Sequence, residues 1–194
     1  MQKGSYLDSA GIRELQQRIA EYEDESSYKK LFFHFFLALK SFSFTIVKSR
    51  ELAEEIVSDT LVEIWIRRKQ LMDIRDLKMY LYVSVRNASL RKLQQNKKTS
   101  FLSLDELQVE FASIDENAET NLLTHELSER IDTAIQQLPE RCKMIFKLAK
   151  EDKLKYKEIA DLLNISVKTI DNQLSTALNK ISIALNIPLK KPYN

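Results

Sequence analysis

Apolar residues recur along this chain at helical spacing, and sustained alternation is rare. From Tyr156 onward, Ile159, Ala160 and Leu163 fall on one helix face, and Ile170, Leu174 and Ala177 on one face of the next. Asn164-Ile165-Ser166 stands between them. Asn tolerates the left-handed conformation of a tight turn, and Ser can cap a following helix by accepting from an early backbone N–H. The pattern predicts helix, tight turn, helix, with the small Ala160 where the two must approach closely. Upstream, residues 125–150 predict two helices split at Leu138-Pro139-Glu140, since Pro suits the first turn of a new helix. Ile131, Ala134, Ile135, Leu138, Met144, Ile145, Phe146, Leu148 and Ala149 supply a small core beneath.

In the first half, residues 28–48 carry Phe32, Phe33, Phe35, Phe36, Leu39, Phe42, Phe44, Ile46 and Val47 on nearly every side of a helix, which predicts core packing for all of them. The apolar run Leu31–Val47 is short and holds His34 and Lys40, so it reads as a core helix rather than a membrane span. Residues 51–69 form the next helix, with Ala53, Ile56, Val57, Thr60, Leu61 and Ile64 inward. Glu51, Glu55, Asp59 and Glu63 line up every fourth residue on its outside. Like charges at that spacing cost roughly 0.2–0.5 kcal/mol per pair. The row suits a basic partner surface or a solvated acidic face equally. Arg67, Arg68 and Lys69 suit the negative end of the helix dipole. Residues 70–76 break the periodicity and read as a loop. A helix from about Leu77 to Leu93 turns Leu77, Leu81, Val85, Ala88 and Leu90 inward. Residues 1–27 show only weak periodicity (Leu15, Ile19, Tyr22) and carry no assigned function. Residues 99–130 hold scattered apolars among polar and acidic side chains and read as a linker, and the tail from Pro188 reads as loose.

Composition sharpens this outline. Gly occurs only at 4 and 11 and Pro only at 139, 188 and 192, so the chain reads as all-α and Gly-rich phosphate loops are excluded. Two small helical domains joined by a linker are expected, the C-terminal one a helix-turn-helix. Cys142 is the single cysteine, which fits a reducing, cytoplasmic compartment and a small core residue. With one Cys and two distant His, no metal site of recognisable spacing exists, and no cofactor is expected. The start lacks the basic and apolar run of a signal peptide, so no direct membrane insertion is expected. Net charge is only +2 but falls in blocks. Residues 1–27 carry 3 basic and 6 acidic side chains, residues 28–98 carry 15 and 7, residues 99–130 carry 1 and 8, and residues 131–194 carry 11 and 7. Two basic modules around one acidic segment is the footprint of two polyanion-binding units.

Candidate chemistry follows the blocks. The helix-turn-helix is either a DNA-reading motif or an ordinary helical hairpin. The outer side of the 77–93 helix carries Lys78, Tyr80, Tyr82, Arg86, Asn87, Arg91 and Lys92. Cations meet phosphates, rings stack on unpaired bases and an amide reads base edges, so this mixture suits nucleic acid better than a plain charge run does.

Two stretches resemble one family. Ala53-Glu-Glu-Ile-Val-Ser-Asp-Thr-Leu-Val-Glu-Ile-Trp65 is similar to the core-binding helix of two-domain extracytoplasmic-function sigma factors, the interchangeable promoter-reading subunits of bacterial RNA polymerase. Tyr80-Leu-Tyr-Val-Ser-Val-Arg-Asn87 resembles the start of their −10 element helix. Leu138-Pro-Glu-Arg141, Tyr156-Lys-Glu-Ile-Ala160 and Thr169-Ile-Asp-Asn-Gln-Leu-Ser-Thr-Ala177 resemble their −35 element domain. The likeness covers roughly residues 28–181. It implies sigma region 2 (28–98), an acidic linker (99–125) and sigma region 4 (126–187), and it leaves an acidic N-terminal extension (1–27) outside the match.

The same likeness implies roles. Glu51, Glu55, Asp59, Glu63 and Trp65 would bind core RNA polymerase at the clamp of its largest subunit. Arg75, Lys78, Tyr82, Arg86, Asn87, Arg91 and Lys92 would bind the opened −10 strand, with loop 70–76 capturing a flipped-out base. Lys155, Ser166, Lys168, Thr169, Asp171, Asn172, Gln173, Ser175, Thr176 and Lys180 would meet −35 promoter DNA, and an anti-sigma factor would hold the protein silent. Many relatives carry Arg or Lys at the positions of Asp171 and Thr176, and Gly at Asn164, so the −35 contact here should lean on Lys155, Lys168 and Lys180 for phosphates. The rival readings are a free-standing helix-turn-helix regulator, a polymerase-binding adaptor without promoter reading, and a small helical enzyme. The last lacks any convergent His, Cys and carboxylate set.

Overall fold

A computed structural model describes residues 7–96 and 122–187. Within them the chain is all helix: α1 (Ser9–Tyr22), α2 (Glu25–Val47), α3 (Arg50–Ile66), a 3₁₀ turn (Arg68–Asp73), α4 (Leu77–Asn96), α5 (Leu122–Gln136), α6 (Glu140–Lys150), α7 (Tyr156–Leu163) and α8 (Val167–Leu185). No strand occurs among the described residues. The chain divides into two compact units, residues 1–103 and 104–194. The linker expected at 99–125 lies outside the described residues up to 121, and helix has resumed at Leu122. The tail from Pro188 also lies outside them.

Short polar caps punctuate the helices. Asp8 accepts from Gly11 N–H at 2.8 Å, Asp24 from Ser26 N–H at 2.9 Å, Ser49 from Leu52 N–H at 3.1 Å and Asp76 from Met79 N–H at 2.9 Å. Each satisfies a donor that the first turn leaves orphaned. With glycine so scarce, the left-handed corners fall on Glu23, Lys48, Lys153, Asn164 and Asn186. Four of these five close a helix C-terminus.

In unit 1, α2 is the central helix, and α1, α3 and α4 all pack on it. Leu31, Phe35, Leu39, Phe42 and Ile46 form its buried ridge. By length and composition α2 could cross a membrane, but that ridge is spent on the unit's own core. Burial of all the aromatics, expected from the sequence, does not hold. Phe33 is 64% exposed, and Phe32 and Phe36 are half-buried, stacked at 5.2 Å. Three helices cover α2 but leave one side open, so its density of aromatics overstated its burial.

Segment 1–27 contributes a well-formed helix: Ile12, Leu15 and Ile19 of α1 are buried, whereas Tyr22 is exposed. Segment 70–76, read as a loop, is in part the 3₁₀ turn, pinned by buried Leu71. On α4 the inward ridge is Leu77, Leu81, Tyr82, Val85 and Ser89, with Ala88 and Leu90 only half-buried. Ser89 meets Ser43 of α2 in a buried 2.9 Å hydrogen bond, which satisfies two hydroxyls at once.

In unit 2, α8 packs on α5, α6 and α7. Ile135, Leu138, Cys142 and Ala177 form one core cluster, flanked by Ile131, Phe146 and Ile181. Ile145, Ile159, Leu163, Ile170 and Leu174 extend the buried set. Pro139 takes the N-cap position of α6, one residue before the first turn, and its carbonyl accepts from Lys143 N–H at 2.8 Å.

Candidate functional site

The helix-turn-helix forms as its residues dictate. Asn164 closes α7 at φ 55°, ψ 49°, and Ile165 N–H reaches back to Ala160 carbonyl at 3.0 Å. Ser166 Oγ then accepts from Thr169 N–H at 3.0 Å and meets Thr169 Oγ1 at 2.9 Å, which starts α8. Glu158 Oε2 accepts from Lys155 N–H at 2.7 Å at the start of α7. Apolar faces of both helices turn inward, and the outside of α8 is largely polar, with Val167, Leu178 and Ile183 exposed along it.

That face separates the candidate −35 residues. Lys168, Asp171, Asn172 and Ser175 are exposed at i, i+3, i+4 and i+7, and Asn179, not singled out in the sequence, extends the row. Helical spacing from Asn172 would have found it. Thr176 and Lys180 are exposed beside it, but the Thr176 hydroxyl donates into its own helix, to Asn172 carbonyl at 2.9 Å. Ser166 and Thr169 are engaged in the cap. Gln173 is half-buried, and its carbonyl accepts from the Cys142 thiol at 3.1 Å, a tie from the core to the middle of α8. Burial pushes that thiol's pKa up, which keeps it protonated and able to donate. Lys168 Nζ lies 3.5 Å from Asp171 Oδ2, so the face carries its own charge pair. Lys155 is exposed at the start of α7.

In unit 1 the acidic row on α3 is present but partly compensated. Glu51, Glu55 and Asp59 are exposed and Glu63 is half-buried. Lys92 Nζ binds Glu55 at 3.0 Å, and Arg67 pairs with Glu63. Hydrogen bonds from its own backbone N–H and from Ser49 hold the Glu51 carboxyl below its usual range. These contacts relieve much of the repulsion that spacing alone suggested. Trp65 is half-buried, tilted against Tyr28 at 5.0 Å, with the Arg68 guanidinium 5.0 Å from its ring centre.

Across α4 the structure sorts the candidate −10 residues. Asn87 and Arg91 are exposed, Arg86 is half-buried with Nη1 3.4 Å from Asn87 Oδ1, and Lys78 and Lys92 are half-buried. Arg75 is exposed on the segment before the helix. Tyr82 is corrected: it is 1% exposed and packs against Phe42 at 5.2 Å, so its ring belongs to the core and meets no base in this conformation. The available ring is Tyr80, seven residues before Asn87 and on the same face, with Val83 exposed between them. Position 82 falls beside Leu81 and three residues before Val85, a spacing that puts it at the edge of the inward face. Among the described residues no group of three His, Cys, Asp or Glu side chains is placed to hold a metal ion.

The C-terminal unit carries a family match. Residues 128–181 match the family "Sigma-70, region 4", a span that holds α7, the turn and all but the last turn of α8. For the chain as a whole, a solved structure shares the fold: CnrH in complex with the cytosolic domain of CnrY, at TM-score 0.50 and 18% identity. The alignment covers 92% of this chain and 98% of that one. No curated protein sequence matches the chain.

Proposed function

We propose that this protein is a sigma factor of the two-domain extracytoplasmic-function type, which binds core RNA polymerase and directs promoter recognition and opening. The observation that carries the proposal is the sigma-70 region 4 match on a helix-turn-helix with a largely polar outer face. The likeness in fold to CnrH supports extending the same helical order to the first unit.

In this mechanism α3 docks on a basic surface of the polymerase clamp. Docking exchanges the exposed Lys92–Glu55 and Arg67–Glu63 pairs for intermolecular ones at little cost, because exposed pairs are worth about 0–1 kcal/mol. The −35 duplex meets α8 through Lys168, Asn172, Ser175 and Asn179, while Asp171, paired with Lys168, tempers the grip of that lysine on phosphates. The melted −10 strand runs along Tyr80, Asn87 and Arg91, and segment 70–76 takes up a flipped base, whose Watson–Crick edge is then open to readout. The protein itself makes and breaks no bond. It works in the cytoplasm, and an anti-sigma factor holds it silent; that CnrH is seen in complex with a cytosolic domain supports a protein partner for this fold.

In vitro transcription on pooled genomic promoters, with core polymerase and with or without the protein, tests this. New transcripts sharing −35 and −10 sequences are expected. Their absence, with tight binding of a palindromic duplex by the protein alone, would leave a free-standing regulator instead. Promoter opening unchanged by Asn87→Ala and Arg86→Ala would leave a polymerase adaptor.

A further inference from the structure

We infer that α1 is a positioning element for the base-capture segment 70–76 and acts through Arg13 and Gln16; the inference rests on the sigma-factor proposal above. Gln16 is 1% exposed, an unusual place for a side-chain amide. Its Nε2 donates to Leu71 carbonyl at 2.9 Å and to Ile74 carbonyl at 3.0 Å. One turn earlier, Arg13 Nη1 donates to Ile74 carbonyl at 3.1 Å and Nη2 to Met72 carbonyl at 3.0 Å. Three carbonyls from four consecutive residues therefore point at α1.

The consequence is directional. Leu71 is the fully buried side chain of the turn, and Ile74 N–H closes it onto Leu71 carbonyl at 3.2 Å. With the carbonyls drawn inward, Gln70, Asp73, Arg75 and Asp76 are left exposed on the outside. Asp76 is fixed by capping α4 through Met79 N–H. A free segment of this length would have to be ordered when a base arrives, at an entropic cost to binding. Here the ordering is completed on folding. Gln16 suits the task because both contacts need a donor: Glu at this position would turn an acceptor toward a carbonyl. Ile12, Leu15 and Ile19 hold α1 in place independently, so removing the amide loosens the segment without detaching the helix.

The test uses holoenzyme and a labelled single-stranded −10 oligonucleotide, substituted one base at a time, read by fluorescence anisotropy. Gln16→Met is close in size and lacks the donors; Arg13→Ala removes the other pair. Discrimination at the captured base should fall about tenfold, the scale of losing hydrogen bonds that fix a binding segment. Discrimination at the other positions and affinity for core polymerase should stay within about twofold. Hydrogen exchange of residues 70–76 should rise, and Arg13→Lys, which keeps a donor, should retain more discrimination than Arg13→Ala. Unchanged discrimination in folded variants, or an equal loss at every position, would overturn the positioning role alone. If Gln16→Met does not fold, the two Arg13 variants decide the matter in the same assay. Failure of wild-type holoenzyme to bind the −10 strand at all would overturn the sigma-factor proposal and this inference with it.

Discussion

Replacing Asp171 by Asn should tighten −35 binding, and the structure sets the size of the gain. Lys168 and Asp171 are paired at 3.5 Å on the outer face of α8, with side chains 77% and 55% exposed. Such an exposed pair contributes at most about 1 kcal/mol to stability, so the variant should fold normally. On DNA the same pair holds Lys168 away from the backbone and sets a carboxylate against it. Asp171→Asn frees one cation to neutralise one phosphate. Each phosphate contact adds about 0.9 to the slope of log affinity against log salt, which at about 0.1 M salt amounts to roughly eightfold, or about 1.2 kcal/mol. Holoenzyme binding to a labelled −35 duplex, titrated from about 50 to 200 mM salt, a range over which such contacts are readily resolved, gives both affinity and slope. Asp132→Asn, on exposed α5 surface in the same unit, removes the same charge elsewhere and should change neither. Equal effects of the two variants would mean that net charge alone is at work. No change in slope for Asp171→Asn would show that this face of α8 does not approach phosphates.

Three further outcomes are expected. Tyr80→Ala should weaken binding of the −10 single strand by about 1–3 kcal/mol, the worth of one stacked base, while Tyr82→Phe, which keeps the buried ring, should leave it unchanged by the same anisotropy assay. Asn164→Gly should be neutral or stabilising, whereas Asn164→Val should cost unit 2 at least about 1–2 kcal/mol because a β-branched residue resists φ 55°; hydrogen exchange of α7 and α8 reads the difference. Stability of unit 1, followed by Trp65 fluorescence in urea, should fall as pH drops from about 7 to 5.5. Burial, with Lys78 nearby, holds the His34 imidazole below its usual pKa, so the unfolded chain takes up a proton near 6.5 that the folded one refuses. His34→Gln should flatten that window. Asp24, lowered chiefly by the Ser27 hydroxyl, and Glu51 act in the same direction only at more acid pH.

Local chemistry decided much of this protein in advance. Scarce Gly and Pro with helical periodicity fix an all-helical chain, and Asn164 and Ser166 write the helix-turn-helix because their preferences are met within a few residues of themselves. Ile170, Leu174 and Ala177 announce the buried face of α8, and therefore its outer one, since a single helix has only one way to turn three such residues inward. What the sequence left open depends on which neighbour covers which side. Phe33 and Tyr82 are both aromatic residues on apolar helices, yet one is exposed and the other sealed, because α4 lies on α2 along Phe42 and no helix covers Phe33. The charge of the α3 row changed in the same way: Glu55 finds Lys92 only because α4 packs beside α3. Most of all, Arg13 and Gln16 meet segment 70–76 across more than fifty residues of chain. Hydrogen bonds between positions that far apart follow from packing, not from periodicity, and only the folded unit brings them together.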